Sequence, residues 1–146
     1  MYIETKKLAD KLARNHGTRD PIRISDDLGY ILINTPLSGI RGYYQYVRRC
    51  SIIYLDTELS DEERSFVCAH ELGHSLLHKN LNRIFMDTRT HMVTSRYEIE
   101  ADHFAVELIY SDDDLCEYTD CTFDTVARSL GISYSLAEYR MRSLRQ

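Results

Sequence analysis

The stretch Cys68-Ala69-His70-Glu71-Leu72-Gly73-His74-Ser75-Leu76-Leu77-His78 carries the densest chemistry in the chain. Ahead of it stands Ser60-Asp61-Glu62-Glu63, a capping box in which serine and glutamate satisfy each other's free backbone N–H groups. Together they predict one helix running through His78. On such a helix His70 and His74 project from the same face about 6 Å apart. Both imidazoles can then reach a single zinc ion at about 2.1 Å. Glu71 is turned away from the pair, where its carboxylate can touch a water held by the ion without displacing a ligand. Zinc lowers the pKa of such a water toward about 7, and a nearby carboxylate can take the proton. An isolated histidine pair reads more simply as two surface residues. The intervening glutamate and the uncharged flanks Cys68-Ala69 and Ser75-Leu76-Leu77 favour the metal. Gly73 adds weight: glycine inside a helix costs about 1 kcal/mol relative to alanine, and close packing or ligand access would explain it.

A zinc enzyme needs a third protein ligand and an open fourth position. His78 continues the histidine stripe, but eight residues at 1.5 Å each put it about 12 Å from His70 along the axis. It is expected beside the site as a supporting or core-edge residue. The extended pattern with a third histidine fails, because Leu77 and Asn80 occupy its closing positions. His91, Glu98, Glu100 and His103 remain downstream. A second helix over 95–110 would turn Tyr97, Ala101, Phe104, Ala105 and Leu108 toward the core. The two glutamates flank that face on opposite sides, so helical phase does not separate them. A metal-bound histidine usually donates its other N–H to a carboxylate, however. Asp102 lies four residues after Glu98 on one face, whereas Phe104 holds that place for Glu100. Glu98 is therefore the expected third ligand and Asp102 the carboxylate that orients His70 or His74. The plainer alternative makes Glu98 the capping-box partner of Ser95. His91 and Tyr97, with Arg83 and Arg89, are candidates for contact with substrate or transition state, against the simpler reading of solvated loop residues.

Outward from this centre the chain reads as α+β. A first helix over 4–15 ends before Gly17. Asp20-Pro21 then opens a short helix with an N-cap and proline at the first helical position, ending at Gly29. Three strand-like runs follow, Tyr30-Ile31-Leu32-Ile33-Asn34, Tyr43-Tyr44-Gln45-Tyr46-Val47 and Ser51-Ile52-Ile53-Tyr54-Leu55. Their short connections predict a small antiparallel meander. Asp112-Asp113-Asp114 after Ser111 fits a first helical turn, where negative charge is favoured. Helices over 123–130 and 133–143 close the chain around Gly131. The expected organisation is one domain over 1–146: helices and sheet in 1–60, the site helices in 61–110, a helical segment in 111–146.

Bulk properties exclude several classes. A chain of 146 residues can bury one substantial core. A net charge of -5 argues against a general nucleic-acid surface. No apolar run approaches the ~20 residues that span a membrane, and the first residues lack the apolar core of a secretory signal. Cys50, Cys68, Cys116 and Cys121 form no metal-type pairs, and Cys68 reads as a small core residue. A cytoplasmic protein is expected. One rival is a regulator without protease activity. Phe123 to Ser133 resembles half of a helix-turn-helix, and a DNA reader would present Arg128, Arg140, Arg142 and Arg145 on one exposed face of the last helix. The acidic whole favours a helix pair packed on the core instead. A second rival is a purely structural zinc site, for which Cys68 makes a poor fourth ligand because it points off the ligand face.

Two segments together carry a family likeness. His70-Glu71-Leu72-Gly73-His74-Ser75-Leu76-Leu77-His78 and Glu98-Ile99-Glu100-Ala101-Asp102-His103-Phe104-Ala105 resemble the signatures of the ImmA/IrrE metallopeptidases. Leu136-Ala137-Glu138-Tyr139-Arg140 is similar to a closing segment common there, so the likeness covers most of the chain. It implies a gluzincin-like fold with one zinc ion on two histidines and a glutamate. It also implies a protein substrate, a repressor or other regulator of phages and mobile elements. The family often continues its second signature with a Leu-Met-Pro-like stretch. Here Leu108-Ile109-Tyr110-Ser111-Asp112 stands instead, which alters the neighbouring substrate region.

Overall fold

The computed structural model describes residues 2–78 and 91–144, with side chains over 4–78 and 95–144. Helix α1 (Tyr2–His16) leads into α2 (Pro21–Asp27), whose N-cap Asp20 accepts from the Ile22 N–H at 3.0 Å with Pro21 at the first helical position. Strands β1 (Ile31–Thr35), β2 (Gly42–Val47) and β3 (Cys50–Asp56) follow. Five helices come after them: α3 (Asp61–Leu77), α4 (His91–Ile109), α5 (Asp112–Leu115), α6 (Phe123–Leu130) and α7 (Tyr134–Ser143). A 3₁₀ turn, Cys116–Tyr118, follows α5.

The sheet corrects the expected antiparallel meander. Its order is β1-β3-β2, with β1 parallel to β3 and β2 antiparallel to it. β2 and β3 do form a hairpin, closed by Arg48 and Arg49 at φ 51° and 65°, the positive angles that a two-residue turn needs. The link over 36–41 behaves differently. It crosses the end of β3, and Asp56 ties it there by accepting from the Leu37 N–H at 2.9 Å and donating its own N–H to the Arg41 carbonyl at 2.9 Å. Six residues easily span two strand spacings of about 4.8 Å. Short length therefore did not force β1 and β2 to be neighbours. The central lane goes to β3, whose Ile53 and Leu55 are fully buried.

One face of the sheet rests on α3. Gly42 allows the approach, since a Cβ there would meet the Tyr54 carbonyl at 2.6 Å and Val67 Cγ1 at 2.7 Å. The core joins Ile53 and Leu55 to Ala9 and Leu12 of α1, Ile24 of α2, Val67, Cys68, Ala69 and Leu72 of α3, and Phe104, Ala105 and Leu108 of α4. Cys68 is a core residue as expected, 3.6 Å from Ser25 Oγ, and burial pushes its thiol up to about 11. Cys50, Cys116 and Cys121 are free and exposed.

A smaller core of Leu115, Val126, Ala127, Ala137 and Met141 holds the C-terminal helices together. The tail arginines do not share an exposed face. Arg140 is buried, donating to the Tyr110 carbonyl at 2.7 Å, Asp112 at 2.8 Å and Ser143 at 2.9 Å. Arg142 pairs with Glu138 at 2.9 Å and Arg128 with Asp124 at 2.8 Å, while Arg145 lies outside the described residues. Among the described residues no helix is long and apolar enough to cross a membrane.

Between the two cores sits Glu107, fully buried, accepting from the Tyr139 hydroxyl at 2.5 Å. Burial raises its pKa to about 7, against the opposing hydrogen bonds of Tyr139 and Thr5 and the charges of Arg140 and Lys6. The folded state thus favours the protonated acid. The stability this brings is full below the ordinary value of 4.5 and is lost as pH rises through about 7. The loss is on the order of 3 kcal/mol. Glu107→Gln, which keeps an acceptor for Tyr139, should flatten the fall in melting temperature between pH 5 and pH 8; parallel melts of the two proteins check it.

Candidate metal centre

The helix that carries the histidines starts where the capping box predicts. Ser60 Oγ accepts from the Glu63 N–H at 3.2 Å, and Glu63 Oε1 accepts from the Ser60 N–H at 2.9 Å. Helix α4 runs antiparallel against α3, so that His70 meets Asp102 while His78 meets Glu100 and Tyr97. The two helices approach closely at Gly73, where an added Cβ would lie 2.9 Å from the Phe104 ring. Close packing thus accounts for a glycine inside the helix.

Three side chains converge at this contact. His70 Nε2 and His74 Nε2 stand 3.1 Å apart, and the Glu98 carboxylate lies 3.0 Å from the first and 2.8 Å from the second. Among the described residues this is the one group of three that could hold a metal ion. Ligand atoms at about 2.1 Å from a tetrahedral zinc ion would sit about 3.4 Å apart, so two imidazoles and a carboxylate at these separations fit that ion. Behind them, His70 Nδ1 bonds Asp102 at 2.7 Å. His74 is almost wholly buried, while the Glu98 and Asp102 side chains are 41% and 43% exposed, so the centre opens to solvent on the α4 side.

The electrostatics favour positive charge on His70. Burial works against a charged His70 ring, yet the Asp102 and Glu98 hydrogen bonds outweigh it and raise the pKa to about 9, with the Glu71 charge adding to them. Burial likewise opposes ionisation of Glu98, but the His70 and His74 hydrogen bonds hold its carboxyl well below the usual range. A proton or a metal ion answers the same demand. Glu71 itself is buried one residue beyond His70.

The remaining sequence candidates fall around this centre. His78 caps the end of α3, with Nδ1 3.0 Å from His74 Nδ1 and Nε2 3.1 Å from Glu100. Burial keeps its pKa low despite Glu100. The Tyr97 ring packs edge-on against His78 at 4.5 Å. His103 stacks on Tyr139 at 3.4 Å, and burial lowers its pKa to about 4. The side chains of His91, Arg83 and Arg89 lie outside the described residues. The sequence gives Glu100 no acidic neighbour one turn on and so does not mark it as a ligand, nor does it announce the contact with His78. The signal was there, since a histidine ending one helix needs a polar partner once the next helix buries it. A groove of about 580 Å³ borders Asp102, lined further by Phe66, Ile109, Tyr110, Leu130 and Ile132. Tyr110 belongs to the stretch that departs from the family pattern, and its hydroxyl bonds the Leu130 carbonyl at 3.2 Å.

A histidine pair on one helix facing a glutamate on its antiparallel neighbour defines a candidate metallohydrolase centre. Residues 26–142 match the IrrE N-terminal-like domain of peptidase family M78, and the chain belongs to that family. It is 34% identical over 142 residues, 95% of this chain and 90% of the relative, to the uncharacterized immunity region protein 2 of Bacillus phage phi105. It is 29% identical over 107 residues to the metallopeptidase ImmA of Bacillus subtilis strain 168, spanning 73% of this chain and 63% of that one. A solved Mycobacterium tuberculosis transcriptional regulator shares the fold at 15% identity and a TM-score of 0.60, over 94% of this chain and 46% of its own.

Two outcomes test the geometry. Gly73→Ala should destabilise the protein by about 1–3 kcal/mol through overpacking against Phe104, less the ~1 kcal/mol of helix propensity regained; denaturant titration reads it. Purified protein should bind one divalent ion per chain, and Ala at His74 or Glu98 should abolish this. Zinc at about 1,000 times its Kd should add about 4 kcal/mol of stability, reversible by chelator and measured by melting.

Proposed function

We propose that this chain is a zinc-dependent metallo-endopeptidase of the gluzincin type, cutting a regulatory protein such as a phage or mobile-element repressor. The carrying observation is the convergence of His70 Nε2, His74 Nε2 and the Glu98 carboxylate within hydrogen-bond distance of one another. His70, His74 and Glu98 would hold the ion. When bound, zinc supplies Lewis-acid polarisation of the scissile carbonyl and a lowered water pKa. Asp102 accepts from His70 Nδ1–H and so leaves the Nε2 lone pair for the metal. Glu71 is the general base: its carboxylate takes the proton of the attacking water and returns it to the leaving amine. The groove beside Asp102 receives a substrate side chain against Phe66, Ile109 and Ile132.

The regulatory substrate rests on the names of two relatives, a phage immunity region protein and ImmA. We further propose a single domain working in the cytoplasm. The DNA-reading alternative loses support from the burial of Arg140 and the ion pairs of Arg128 and Arg142.

The test is Glu71→Gln incubated, zinc-loaded, with the repressor encoded nearest its gene. Stoichiometric zinc should persist while cleavage falls by about 10²-fold or more, as expected for a lost proton-transfer group. Undiminished cleavage would rule out the role given to Glu71.

A further inference from the structure

We propose that the groove bordering Asp102 selects substrates carrying a bulky apolar residue flanked by lysine or arginine, with Glu62 reading the positive charge. This rests on the peptidase reading of the neighbouring centre and names the substrate class that the centre would receive.

The groove follows the seam between the two cores. Phe66 and Ile109 are half-buried at the edge of the main core, and Leu130 and Ile132 at the edge of the smaller one. The fold thus leaves these apolar side chains partly uncovered around one concave space of about 580 Å³. Sites for compact ligands span ~300–1,000 Å³ and bury an apolar body against a few fixed polar groups. The Tyr110 hydroxyl donates to the Leu130 carbonyl at 3.2 Å and holds the two sides of the seam together.

Position decides what enters. Asp102 lines the groove and also bonds His70 Nδ1 at 2.7 Å. The groove therefore ends one imidazole ring from His70 Nε2, the nitrogen that meets His74 and Glu98. One or two residues of extended chain, at about 3.3 Å each, cover that gap. A peptide lying over the three converging side chains would place in the groove a residue one or two positions from the bond to be cut.

Charge decides what flanks it. Among the described residues, the carboxylates of Glu62, Glu63 and Asp102 line the groove against the single guanidinium of Arg41. Glu63 already accepts from the Ser60 N–H at 2.9 Å and lies 3.7 Å from Arg41, and Asp102 faces His70. The excess negative charge falls at Glu62, exposed in the first turn of α3. Its field reaches into the groove: burial first, and then the Glu62 charge, raise the Tyr110 pKa. An apolar residue between lysines fits both features, whereas flanking glutamates would meet repulsion at the rim.

The probes are acetyl-Gly-Lys-Phe-Lys-Gly-amide and two relatives, one with alanine for the phenylalanine and one with glutamate for both lysines. Each is titrated into the metal-free, full-length protein, where no bond is cut, and read by the methyl ¹³C shifts of labelled isoleucines. The first peptide should move Ile109 and Ile132. Alanine should weaken binding by about tenfold or more, the scale of methylene groups lost from an apolar pocket. Glutamate should weaken it by about two- to fivefold for the charge facing Glu62, the worth of one exposed ion pair. Glu62→Gln should level the preference for lysine and Glu62→Lys reverse it, with the discrimination against alanine unmoved in both. Shifts confined to other isoleucines, equal binding of the phenylalanine and alanine peptides, or a lysine preference indifferent to Glu62 would each overturn the proposal. Groove binding as described in a zinc-loaded protein that cleaves nothing would support the groove and defeat the peptidase reading alone.

Discussion

The antiparallel contact of α3 with α4 is the constraint on which the rest depends. A glycine at 73 lets the Phe104 ring sit against the α3 backbone, where a methyl group would be 2.9 Å away. That distance sets the registry of the two helices. With it, His70 falls opposite Asp102, His74 opposite Glu98 and His78 opposite Glu100. Helix α1 and the sheet close around the pair through Ala9, Leu12, Ile53 and Leu55, so the main core supports the site.

That registry gathers acceptors where the core meets solvent, with His74 buried and the Glu98 and Asp102 side chains partly exposed. Two imidazole nitrogens and a carboxylate within 3.1 Å of one another favour positive charge among them. The Asp102 and Glu98 hydrogen bonds raise the His70 pKa to about 9, so a proton on that ring supplies such charge, and a divalent ion would meet all three groups at once. A metal ion bound there would compete with protons for the same lone pairs, so its binding would be coupled both to pH and to the stability of the helix pair. Asp102 and Glu100 stand one step back, at hydrogen-bond distance from His70 and His78.

Much of this was legible in order of locality. The α3 start and the Asp20-Pro21 helix start were readable because each is closed by side chains within three residues of the backbone groups they satisfy. The pairing of Glu98 with Asp102 was readable because both lie on one helical face. The strand order was not: length alone does not say whether the 36–41 link turns to its neighbour or crosses a lane, and Asp56 decides that from 19 residues away. Nor could composition tell that Arg140 is spent inside, on the Tyr110 carbonyl and Asp112, and is unavailable to a partner.

By itself, then, the chain's sequence determined the donor set and its spacing, since helical geometry turns i and i+4 into neighbours wherever the helix lies. Only the tertiary structure decided that His70 takes Asp102, that Glu98 bridges both histidines, and that Glu100 reaches His74 through His78. Those relations join two helices whose mutual position is set by one close contact and a shared core. No periodicity within either helix encodes it.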